Sequence, residues 1–359
     1  MLNFTVGPVM SSEAVLAIGA EQVPYFRTTE FSEIMLENEK LIKQLANATD
    51  DSRVVFLTCS GSGGMEAAIM NTLTKDDKAL VINGGSFGER FVELLTLHGI
   101  PFTEIKIAHG KALKPEHLSP YEGKGYTAFL FQKHETSTGV HYDAKIISDF
   151  CKRNGCFMIV DTISTFLADP FDMADLDAGI MITGSQKALA CPPGIAVMAL
   201  APSALKRIEK SKCCCQYFDL KLALKNQDRG QTPWTPAVGV LRQINSRLKE
   251  IDASGGAKAE IERTAKLADY FRNKLKEFNL PFEIISESMS NALTPLHPTT
   301  QSAHQIFLKI KDEYGMWICP NGGDMKDTVF RVGHIGCLKE EDYDKLIDAF
   351  LDLRRKRVI

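Results

Sequence analysis

The chain has 359 residues, 44% of them hydrophobic and 24% charged, with a formal net charge of −3. That balance excludes a disordered, collagen-like or mucin-like chain, and the missing basic excess argues against nucleic acid as a main partner. Its length suits two domains, or one large domain with an appendage.

Nine cysteines without regular spacing suit a reducing compartment, the cytoplasm, better than a disulfide framework. The run Cys213-Cys214-Cys215 has no second Cys or His pair at ligand spacing, so no metal site is expected. The longest uncharged stretch, from Ala188 to Ala204, is broken by Pro192, Pro193 and Gly194. It falls short of the about 20 apolar residues a spanning helix needs, so no membrane segment is expected. The basic tail Arg354-Arg355-Lys356-Arg357 reads as cations at the negative end of a helix that starts near Glu340.

In chain order, short β-branched or aromatic runs fall at Val54–Thr58, Ala79–Asn83, Phe102–Ile107, Ala128–Phe131, Phe157–Asp161, Ile180–Thr183 and Ile195–Leu200. Segments with apolar spacing near 3.6, such as Met65–Leu73, Phe91–His98 and Ala144–Cys151, lie between them. The alternation predicts an α/β architecture whose mostly parallel sheet carries helices on both faces, with ligands beyond the carboxyl ends of its strands. A long helical stretch from Ala237 to Phe278 follows, with a break at Gly255-Gly256. Strand candidates at Phe282–Ile285, Gln305–Ile310 and Thr328–Val332 then predict a smaller α+β domain. The division is set at residues 15–240 for the large domain, with 1–14 and 241–359 forming the small one.

Three segments at strand ends carry candidate chemistry. Cys59-Ser60-Gly61-Ser62-Gly63-Gly64 lets a backbone approach closely and offers N–H groups to a phosphate, although a plain strand-to-helix turn would look the same. Asp161 closes an apolar strand, where a carboxylate needs a cation or several donors, or else caps a helix. Lys187, in Gly184-Ser185-Gln186-Lys187, can be desolvated toward a neutral nucleophile, or can lie at the surface. Together they match the needs of pyridoxal 5'-phosphate: a Schiff-base lysine, an acid on the pyridinium nitrogen and a phosphate anchor. Released by the substrate amine, Lys187 is then the base that moves the Cα proton.

With Gly184-Ser185-Gln186-Lys187-Ala188-Leu189 followed by Pro192-Pro193-Gly194, the sequence resembles the class V aminotransferases of the fold type I pyridoxal phosphate enzymes. The resemblance runs from Phe4-Thr5-Val6-Gly7-Pro8 to Arg331-Val332-Gly333-His334-Ile335-Gly336. It implies a seven-stranded large-domain sheet, a cofactor phosphate held by Ser62, Gly63, Gly64 and Gln186, and a ring stacked by Phe87, with Thr162 and Ile163 on its other face. It further implies Thr136 on the ring oxygen, Asp161 on the ring nitrogen, and Lys187 as the attachment point. Gln231-Thr232-Pro233-Trp234-Thr235-Pro236 resembles the loop that reaches a partner's cofactor phosphate in a homodimer, through Thr235 or else Thr232. Arg331 matches the arginine that grips the substrate carboxylate, and Arg27 borders the substrate, although Phe26 stands where many members carry histidine.

The resemblance implies transfer of an amino group from a small donor such as alanine or serine to a 2-oxo acid such as pyruvate or glyoxylate. A 2-aminoethylphosphonate–pyruvate aminotransferase is the alternative, favoured by the Phe330–Gly336 stretch. A lyase such as a cysteine desulfurase would need a mobile cysteine near the carboxylate-gripping arginine, and Cys319 and Cys337 flank Arg331.

Overall fold

A computed structural model describes residues 1–359. The chain opens with β1 (Leu2–Phe4), α1 (Glu13–Gly19) and α2 (Thr29–Leu45). It continues through β2 (Arg53–Leu57), α3 (Gly61–Thr72), β3 (Ala79–Asn83), α4 (Ser86–Leu97), β4 (Phe102–Lys106) and β5 (Ala128–Gln132). A small hairpin of β6 (His134–Glu135) and β7 (Val140–His141) precedes α5 (Ala144–Asn154), β8 (Phe157–Asp161), β9 (Ile180–Gly184) and β10 (Ala196–Leu200). Helices α6 (Pro202–Lys210), α7 (Leu220–Gln227), α8 (Val238–Ala253) and α9 (Gly256–Glu277) follow. The chain ends with β11 (Phe282–Ile284), β12 (Leu293–Pro298), α10 (Ala303–Tyr314), β13 (Met316–Pro320), β14 (Phe330–Gly333) and α11 (Glu340–Arg355).

Seven strands form the large sheet in the order β2-β10-β9-β8-β5-β3-β4, and only β10 runs antiparallel to its neighbours. These are the seven expected strands. In β5 the apolar run alternates between two cores, Phe129 and Phe131 entering one and Ala128 and Leu130 the other. Near-continuous hydrophobicity is what burial on both faces of a strand requires. The crossovers leave β2, β3, β5, β8 and β9 pointing their carboxyl ends toward one edge, so the segments after them must meet there.

The second sheet has the order β1-β13-β14-β12-β11, with β1 parallel to β13. One expected strand is corrected here: Gln305–Ile310 lies inside α10. Ile306, Phe307 and Ile310 lie on one helical face and enter the small-domain core, while Ser302 caps the helix through Gln305 N. Helix α8 packs on α1 and α2, and its Leu241, Ile244, Leu248 and Ile251 join the core of the large sheet. By core membership α8 thus packs with the large sheet, and Gly255-Gly256 separates it from α9.

Candidate active site

Asp161 ends β8, is buried, and has its Oδ1 bonded by Ile163 N at 2.7 Å. Burial pushes its carboxyl up to about 7, against the opposing pull of the Ile163 N–H and of Lys187. Asp161 forms no salt bridge, although Lys187 and Arg90 both act on it from a distance.

Lys187 lies in the connection between the antiparallel neighbours β9 and β10. Ser185 closes this connection: its Oγ donates to Pro192 O at 2.7 Å and accepts from Ile195 N at 3.2 Å, while its carbonyl accepts from Cys191 N at 2.9 Å. Burial pushes the Lys187 amine down to about 8; Arg331 and Arg90 act in the same direction, and Cys319 and Asp161 oppose them. Gly7, at φ 145°, forms the backing, since a Cβ there would stand 2.7 Å from Lys187 Cδ and Nζ.

The first turn of α3 follows β2. Its N-cap Ser60 makes no side-chain cap bond, and the N–H groups of Gly61 and Ser62 have no acceptor in the chain. Gly64 sits so close to the sheet that an added Cβ would be 2.9 Å from Ile182 Cγ2. Ile163 closes over the same turn, its Cδ1 2.4 Å from a Cβ built on Gly61. Ser62 Oγ accepts from Arg90 Nη1 at 3.0 Å, and the Arg90 guanidinium lies 5.3 Å from the Phe87 ring centre. Beside Lys187, the Gln186 Oε1 is buried without a partner.

Thr136 is buried, with its Oγ1 2.9 Å from Ser164 Oγ, which is itself 2.9 Å from His134 Nδ1. Burial holds His134 well below its ordinary range, so it is neutral, and its Nε2 has no partner. Arg331, on β14, crosses from the small domain: Nη1 donates to Thr136 O at 2.9 Å and Nη2 to Pro320 O at 2.6 Å. Its Nε–H is buried and unpartnered, so part of its donor fork is open. Cys319 pairs with Arg331 across β13 and β14, which puts both side chains on one sheet face. Cys337 instead stands by Arg247 and Arg263.

Two expected residues make no hydrogen bond to this cluster. Arg27 donates to Gln231 Oε1 at 3.2 Å, Thr232 O at 2.8 Å and Pro233 O at 3.2 Å. Within one chain it therefore steadies the 231–236 loop. In that loop Thr232 Oγ1 donates to Trp234 O at 2.7 Å, whereas Thr235 is exposed and makes no bond.

The sequence pattern assigns no role to Arg90, His134, Ser164 or Glu135. Arg90 stands three residues past Phe87, a spacing that puts the two on one helix face. Ser164 carries no local signal, because its partners are 28 and 30 residues away.

The family model Aminotransferase class-V matches residues 22–305. A protein from Synechococcus sp., described as the small subunit of a soluble hydrogenase, is 30% identical over 96% of this chain and 90% of its own length. A 2-aminoethylphosphonate–pyruvate transaminase from Phocaeicola vulgatus is 26% identical over 97% of both chains. The fold of an aspartate aminotransferase of subgroup IV from Thermus thermophilus superposes with a TM-score of 0.91 at 24% identity, covering 99% of each chain. The match over most of the chain, at a site where a half-buried lysine, a buried carboxylate and an open helix N-terminus meet, shows that this chain belongs to the class V aminotransferases.

Proposed function

We propose that this chain binds pyridoxal 5'-phosphate covalently at Lys187 and moves an amino group from a small amino donor, alanine, serine or similar, to pyruvate or glyoxylate. The observation that carries the reading is the pairing of a lysine amine lowered to about 8 with a carboxyl raised to about 7 at one sheet edge. Perturbed groups of opposite need in one cleft mark acid–base work.

The residues fit the group. The free Gly61 and Ser62 N–H groups, with Ser62, Gly63, Gly64 and the side-chain NH2 of Gln186, suit a phosphate at a helix N-terminus, whereas the unpartnered Gln186 Oε1 is an acceptor and calls for a donor. Asp161 suits a protonated ring nitrogen, Thr136 a ring oxygen, and Phe87 with Ile163 the two ring faces. When bound, the cofactor supplies an electron sink for the substrate Cα. Lys187 takes the Cα proton and returns it, and Arg331 holds the substrate carboxylate through its open donors. No three His, Cys, Asp or Glu side chains gather as a metal-ion site.

The same reading makes the working unit a homodimer, with Thr235 reaching the partner's cofactor phosphate and Arg27 bordering the shared site. Its support is the exposed apolar face beside that loop, where Tyr25 is 69% and Val23 54% exposed along a groove of about 790 Å³. No helix is long and apolar enough to cross a membrane. All nine cysteines are free, which suits the cytoplasm.

The test is the visible spectrum of the purified protein during stepwise addition of alanine, serine, glutamate and 2-aminoethylphosphonate. We expect one donor to convert the cofactor band to the pyridoxamine form. If 2-aminoethylphosphonate alone does so, the alternative branch is established. Release of sulfide from cysteine would replace aminotransfer with the lyase reading, and a protein with no band at all would end the Lys187 argument.

Exchanging Arg331 for lysine keeps the charge and loses the planar fork. Steady-state kinetics of Arg331→Lys should show kcat/KM for carboxylate donors lower by about 1.5–3 kcal/mol, roughly ten- to a hundredfold. Unchanged kinetics with every carboxylate substrate would remove the assignment.

A further inference from the structure

We propose that Glu135 is a positioning residue that fixes Phe87 over the cofactor ring, an inference that rests on the cofactor reading above. Glu135 is 0% exposed and forms no salt bridge within 4.0 Å. Its carboxylate is surrounded by donors alone. Phe87 N reaches Oε2 at 3.2 Å, Gly88 N at 3.0 Å and Gln132 Nε2 at 2.9 Å, while Ser137 N reaches Oε1 at 3.2 Å and Ser137 Oγ donates to the same oxygen. Ser137 Oγ in turn accepts from Ser86 N at 3.2 Å.

The first three N–H groups of α4 thus all end on residues 135 and 137. A helix N-terminus offers such groups, with the positive end of its dipole, to whatever anion is present. Here a side chain of the protein takes that place, whereas the matching turn of α3 stays open. The two neighbouring helices divide the work: α3 receives the phosphate, and α4 is clamped by an internal carboxylate so that its second residue, Phe87, holds one position. Gly85 permits the close approach, since a Cβ there would lie 2.7 Å from Glu135 Cδ and 2.4 Å from Ser137 Oγ.

A glutamine at 135 keeps the shape and reverses half of the bonding. In one orientation its NH2 faces the N–H groups of Phe87 and Gly88; in the other it faces those of Phe87 and Ser137. Either conflict pushes the first turn of α4 away.

The experiment titrates apoprotein with pyridoxal 5'-phosphate and records the dissociation constant and the visible circular dichroism of the bound cofactor. The proteins are wild type, Glu135→Gln, Phe87→Leu and the double variant. We expect Glu135→Gln to weaken binding roughly tenfold and to flatten the dichroic band, as loss of a charge-assisted contact implies. The double variant should bind no more weakly than Phe87→Leu alone, because a residue acting through the ring has nothing left to position. An unchanged constant in Glu135→Gln, or the same full loss repeated without the Phe87 ring, overturns the inference. Should Glu135→Gln fail to fold, Ser137→Ala takes its place in the cycle, with the same result expected and the same two results overturning the inference. A wild type that takes up no cofactor overturns both this inference and the proposed function, whereas a working aminotransferase with additive variants overturns this one alone.

Discussion

Lys187→Ala is expected to give a folded protein that binds pyridoxal phosphate weakly and transfers no amino groups. Turnover in single-donor assays should fall by at least about a thousandfold, within the 10²–10⁴ range of a lost general base before the lost attachment point is added. Folding is not what fails. A lysine whose amine is lowered from 10.5 to about 8 contributes full stability only above its ordinary value and loses it as the pH falls through 8. At neutral pH the wild-type apoprotein carries that penalty and the alanine variant does not. The same lowering predicts that cofactor attachment to wild-type apoprotein speeds up with pH and levels off above about 8, where the amine is neutral. Stopped-flow absorption reads this directly. Retained turnover in Lys187→Ala would sink the mechanism, and an inflection near 10.5 would sink the account of its burial.

Asp161→Asn should rank next, with kcat lower by roughly 10²–10³, the loss typical of removing one preorganised charge from a buried site. An amide accepts a hydrogen bond but cannot balance a protonated ring nitrogen, so the electron sink weakens while the cofactor stays bound. Apoprotein stability supplies a second readout with the opposite sign. A carboxyl raised from 3.8 to about 7 gives stability that is present below its ordinary value and lost as the pH rises through 7. The asparagine variant lacks that loss, so its melting temperature should exceed that of wild-type apoprotein by a margin that grows between about pH 4 and pH 7 and then stays constant. Turnover near the wild-type level, or parallel melting curves, would remove Asp161 from the proposed role.

The large domain was legible because its strands are short and β-rich and, apart from the edge strand β4, mostly buried on both faces, so β-branched and aromatic runs marked all seven. The small domain was less so. Phe307 beside Ile306 resembled a strand until α10 placed them on one helical face with Ile310. Strand β12 escaped notice because Pro295 and Pro298 punctuate it, and β1 because its partner lies at the other end of the chain. At the site, motif spacing put Lys187, Asp161 and the Ser62–Gly64 turn at one edge. Single-chain contacts gave Arg27 a different neighbour, the 231–236 loop, because a guanidinium takes the nearest carbonyls regardless of motif. The Thr136–Ser164–His134 chain and the donors around Glu135 join side chains from separate segments, and no local pattern announces them.

The pairing of β1 with β13 has a consequence for synthesis of the chain. Leu2 pairs with Met316, so 316 − 2 = 314 residues separate the emergence of one strand from that of its partner. At about 5–20 residues per second on the ribosome, the N-terminal strand waits roughly 15–60 s without its neighbour. Gly7, which backs Lys187, follows β1 by three residues and is anchored only when that strand docks. The large sheet can assemble while translation continues, but the wall behind the lysine closes only after β13 has been made.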